Sequence, residues 1–205
     1  MRKSVIWMGA AFGIALAIAV LVLALAGSDN KGIRLALELT ARWSFLLFWL
    51  AYAGNAVAVL FGPDKLAGHG REFGLAFASA HLVHIALVIW LYQISARPPL
   101  GPGLFLFFAI GLFWTYLLAS LSFGGVKAVN ERLGPAAWRW IRLVGMNYIL
   151  IAFGRDFVLP VIHPKPAQYN LGHFIFYAPF AVASIAAPVL VLAAAARRPT
   201  APRTA

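Results

Sequence analysis

Cysteine is absent from the chain, which excludes disulfides, thiol nucleophiles, iron-sulfur clusters and cysteine-ligated zinc, so any redox chemistry has to come from a bound cofactor. Charge is also scarce. Only 11% of the residues are Asp, Glu, Lys or Arg, against about a quarter in an ordinary soluble domain. Long polar connections are missing as well. The longest, residues 28–42 and 125–140, are each around sixteen residues and too short to fold into a nucleotide- or flavin-binding domain.

Apolar residues fill the chain instead, at 62%. A hydrocarbon core of roughly 30 Å takes about 20 apolar residues per helical crossing. Six such runs are present, at approximately 5–26, 43–62, 73–95, 104–124, 141–161 and 173–195. We therefore expect an all-α polytopic bundle of six transmembrane helices, one membrane domain over residues 1–205, with 196–205 as a basic tail. The opening "MRK" and the later "ALAGSDN" imitate a signal peptide, but the apolar part between them exceeds the 7 to 15 residues typical of a signal sequence. A retained first helix is expected.

A net charge of +11 would point to nucleic acid in a soluble protein, but here the cations are spread over loops and ends and report orientation. With six crossings, Arg2, Lys3, Lys65, Arg71, Lys127, Arg132, Arg139, Arg142, Arg197, Arg198 and Arg203 fall on one side. Lys31, Arg34, Arg42, Arg97, Arg155 and Lys165 fall on the other. The positive-inside rule makes the first side the cytoplasm. Both termini then lie there, with the tail "RRPTAPRTA" against anionic headgroups. Lipids are the expected partners and nucleic acid is not.

The first run is aliphatic and small-residue rich, which suits packing. The segment "KGIRLALELTARWSF" mixes Arg34, Glu38 and Arg42 with apolar residues at helical spacing, and reads as an amphipathic stretch on the outer surface. Asn55 reads as an interhelical hydrogen-bond donor. In the third run, His81 and His84 are three residues apart and share a helix face. At about 1.5 Å per residue His84 lies roughly 16 Å deep, near the bilayer centre. An ionisable residue there is either a site or a satisfied interior group. Neutral imidazole ligates haem iron, copper or zinc, yet a carbonyl, Ser or Tyr can equally satisfy it. Zinc needs three or four ligands, and His69, His163 and His173 sit at other depths. Trp114, Thr115 and Tyr116 in the fourth run read as bundle core before cofactor wall. Trp138 and Trp140 read as interfacial anchors of the fifth.

Three segments together, "LTARWSFLLFWLAY" at 39–52, "REFGLAFASAHLVHIAL" at 71–87 and "ASLSFGGVKAVNERLGPAAWRWIRLV" at 119–144, resemble the ferric-reductase-like transmembrane domain. The short bacterial branch, the haem-binding membrane subunit of the methionine sulfoxide reductase system, is the most similar. The resemblance covers approximately residues 35 to 160. It implies a six-helix bundle in the bacterial inner membrane, b-type haem, and electron transfer from a quinol or other donor to a partner redox protein. The family's ligand on the third helix falls on His84, with His81 beside it. Its two histidines on the fifth helix fall on Arg142 and Arg155. Arginine offers iron no lone pair, so the resemblance implies at most a haem iron held by His84 alone, with Arg155 pairing a propionate. Alternatively, Arg155, Asp156, Asn147 and Tyr148 line an outward polar cavity, or Arg155 snorkels to the interface. Asp156, adjacent on the helix, need not pair with Arg155. If haem is lost, the fold serves as a scaffold or accessory subunit.

Overall fold

A computed structural model describes residues 2–62, 66–164 and 170–197. Seven helices occupy them: α1 (Arg2–Ala26), α2 (Asn30–Phe61), α3 (Gly70–Ile94), α4 (Pro102–Phe123), α5 (Val126–Leu133), α6 (Pro135–Ile162) and α7 (Leu171–Ala196). No strand occurs among the described residues. All but α5 are long and apolar enough to cross a membrane. Large side chains such as Leu25, Leu106, Ile151 and Leu192 stay exposed around the outside, where hydrocarbon rather than water is the compatible solvent. The protein is an all-α multi-pass membrane bundle. Lys65, Lys165 and the tail from Arg198 onward lie outside the described residues.

The helix interiors follow the expected runs, but two starts lie further back. The second helix begins at Asn30, not 43, so the stretch around Arg34, Glu38 and Arg42 is no separate surface segment. Asp29 caps it by accepting the Gly32 N–H at 2.9 Å. A Cβ on Gly32 would collide with the Gly27 carbonyl, so glycine is required for α2 to turn back this tightly on α1. Ile33, Ala36 and Thr40, spaced three and four residues apart, are then fully buried. The loop before the fifth span folds into α5, and α6 starts at Pro135 rather than 141, with proline in its first turn. Trp138 is consequently buried, whereas Trp140 is exposed as an anchor should be.

α1 presents a buried stripe of Ala11, Ala15, Ala19 and Val22, whose small side chains admit close packing against α3 and α2. Trp43 Nε1 and Ser79 Oγ donate to its Ala11 and Met8 carbonyls, each at 3.0 Å. On the far side, α6 packs on α4 and α7. Gly145 makes the α4 contact possible, because a Cβ there would lie 2.8 Å from the Trp114 ring and 2.9 Å from Leu118. Thr115 donates to Gly111 O, and Tyr116 to Ala78 O on α3, so this cluster is bundle core. Between the two halves, Phe45, Phe48, Phe77, Phe153, Phe157 and Phe180 interlock with ring centroids 5.0–6.1 Å apart.

Both ends of the described chain lie on one side. Arg71, at the start of α3, reaches Ser4 of α1 at 2.9 Å and the carbonyls of Ser122 and Phe123 at the end of α4, each at 2.8 Å. Arg197 reaches the Leu60 carbonyl at the end of α2.

Candidate functional site

The i, i+3 spacing of His81 and His84 places both imidazoles on the inner face of α3, their rings parallel within 11° and 5.2 Å apart. Phe77, one turn earlier, continues the stack at 5.5 Å from His81. His84 Nδ1 lies 3.3 Å from Thr40 Oγ1 on α2. The Thr40 hydroxyl directs its single proton to the Ala36 carbonyl at 2.8 Å, which leaves its oxygen as acceptor for His84. This network assigns the proton of His84 to Nδ1 and the free lone pair to Nε2. His81 Nδ1 is shut off from solvent and has no hydrogen-bond partner among the described residues.

Half a turn along α2 from Thr40, Arg42 is 6% exposed. Its Nε and Nη2 fork onto the Phe176 carbonyl of α7 at 3.3 and 3.2 Å, and Nη1 donates to Glu38 O at 2.7 Å. The guanidinium lies 3.4 Å from the Phe176 ring centroid and 4.8 Å from that of Tyr177. Its five donors and flat faces suit carbonyls and rings together. Sequence reasoning put Arg42 at the outer surface. The hint was its i, i+3 spacing to the fully buried Phe45, but the carbonyl that receives it is 134 residues away.

The two arginines singled out on the fifth span, now α6, part company. Arg155 pairs with Asp156 at 2.8 Å despite their divergent directions on the helix, because the long arginine stem bends back. It also lies 5.8 Å from the Phe108 ring centroid. Among the described residues, the two side chains expected to line an outward cavity with Arg155 and Asp156 are engaged elsewhere, and Asn147 lines the cavity that holds Arg142. Tyr148 donates to the Phe107 carbonyl, and Asn147 Oδ1 accepts from Tyr52 at 2.9 Å. Asn55 makes no hydrogen bond among the described residues, so the interhelical bond expected of it belongs to Asn147 instead. Arg142 is exposed and lines a cavity of about 550 Å³ at the end of the bundle that carries both ends of the described chain.

These residues can be tested against a haem iron. His84 would be the residue to hold the iron, with Thr40 orienting its ring through the other nitrogen. No second imidazole among the described residues could join it. His81 shares the helix of His84, and His173 Nε2 is held at 2.9 Å from the Pro160 carbonyl. At the level of His81, α6 contributes Phe153, 6.4 Å from the His81 ring. A bis-histidine haem does not fit this chain, and His84 is the one imidazole left to offer a nitrogen inside the bundle. No group of three or more His, Cys, Asp or Glu suited to a metal ion occurs among the described residues.

No family model, curated protein or solved structure matches the chain. The functional reading therefore rests on the site.

Proposed function

We propose that this multi-pass membrane protein is a redox subunit of the bacterial inner membrane, with both termini in the cytoplasm, holding one b-type haem through His84. The observation that carries the reading is the Thr40–His84 contact, because a threonine oxygen accepting at Nδ1 leaves Nε2 bare in the middle of the bundle. An imidazole fixed in this tautomer is prepared to ligate iron. The resemblance to ferric-reductase-like domains supports the same position. When bound, b-type haem supplies one-electron chemistry between a quinol or other donor and a partner redox protein. The chain's own part is to orient His84 and, through Phe153 and its aromatic neighbours, to exclude water from it. His81, parallel to His84 on the same helix, would add a second wall. Arg155, paired with Asp156, retains other N–H groups for a propionate.

A specific observation favours a second reading, a haem-free scaffold or accessory subunit. The 550 Å³ cavity reaches Phe77 but is lined by neither His81 nor His84, and Phe153 projects into the space beside them. Purification from haem-replete cells separates the two. A Soret band that shifts on dithionite reduction supports the redox reading. A colourless, iron-free protein that copurifies with a stable partner supports the scaffold.

A further inference from the structure

The cavity at the end bearing Arg71 and Arg142 belongs to none of this chemistry. It opens between the first turns of α3 and α6 and the last turns of α2, α4 and α7, and its lining carries two arginines and no carboxylate. Arg71 is committed to Ser4, Glu72 and two α4 carbonyls. Arg142 makes no hydrogen bond or ion pair among the described residues. Trp138 lines the same cavity at 6% exposure, but its Nε1–H is shut off from solvent and so does not face the opening. Asn55 also lines the cavity, is exposed and makes no hydrogen bond among the described residues. Below these donors the walls turn apolar, with Phe48, Leu118 and Ile149. A volume of 550 Å³ falls in the range of roughly 300–1,000 Å³ usual for small-molecule sites.

We infer that this cavity binds one anionic phospholipid of the adjacent leaflet, its phosphate received by Arg142 and the Asn55 amide and an acyl chain lying along the apolar wall. Donors without acceptors call for an anion, and the apolar floor calls for a tail, which free phosphate lacks. The inference is independent of haem at His84.

Delipidated protein in mild detergent, titrated with phosphatidylglycerol or phosphatidylcholine and read by native mass spectrometry, tests it. One phosphatidylglycerol should bind per chain in preference to phosphatidylcholine. Affinity should fall at least about tenfold in Arg142→Gln, the loss of one charge-assisted hydrogen bond. Asn55→Leu should weaken binding with the fold kept, as judged by thermal unfolding in the same micelle. Arg139→Gln, an exposed neighbour outside the cavity, should bind as the wild type does. Equal binding of the two lipids would overturn the inference, as would an equal loss in Arg139→Gln or full binding in both cavity variants. Complete displacement by millimolar inorganic phosphate would make this a free-anion site and overturn the lipid assignment.

Discussion

Replacing Arg42 separates the work of its shape from the work of its charge. Arg42→Lys keeps a buried cation but cannot place two parallel donors on the Phe176 carbonyl or lay a flat face 3.4 Å from the Phe176 ring centroid. Two charge-assisted hydrogen bonds at a net 1 kcal/mol or so each, with a desolvated cation–π contact of about 2 kcal/mol, set a loss of about 2–4 kcal/mol. Arg42→Leu loses the same contacts but also relieves the desolvation of the charge, which costs several kcal/mol. Leucine should therefore be the milder change, within about 2 kcal/mol of wild type. Unfolding by sodium dodecyl sulfate in mixed micelles, followed by tryptophan fluorescence, gives the order wild type, Arg42→Leu, Arg42→Lys. Lysine as stable as arginine would refute the reasoning, because the planar fork would then contribute nothing.

Gly145→Ala should destabilise the bundle by about 1–3 kcal/mol, since the added methyl meets the Trp114 ring and Leu118 at under 3.0 Å. Leu118→Ala in the same chain should recover part of that loss, and the unfolding midpoint in detergent reads both. Thr40→Val is nearly isosteric and removes the acceptor at His84 Nδ1. Haem titration of the apo-protein, followed at the Soret band, should show affinity weakened roughly 10- to 100-fold, the usual cost of losing a group that orients a metal ligand. Unchanged affinity would show that Thr40 does not orient the ligand.

Six spans were legible because a crossing needs a long apolar run whatever it packs against, and the shared face of His81 and His84 followed from helical period alone. Helix starts were less legible. Asp29 and Pro135 are good first-turn signals, but the charges at Arg34, Glu38, Arg139 and Arg142 weaken the apolar average on which a span is read. The site's partners were hidden for another reason. Thr40 meets His84 across 44 residues, and Arg42 meets Phe176 across 134. No local pattern records such pairings. The Arg155–Asp156 pair was left open by helix directions, because an arginine stem is long enough to fold back on its neighbour. The unpartnered donors of Arg142 and Asn55 share one cavity only when five helix ends are brought together.

The absorbance spectrum of the purified protein, taken beside that of His84→Ala, bears most directly on the redox reading. A Soret band in the wild type that shifts on dithionite and disappears in His84→Ala, while Arg142→Gln keeps it, is the result predicted. A wild-type protein without haem, or a band that survives the loss of His84, would contradict it.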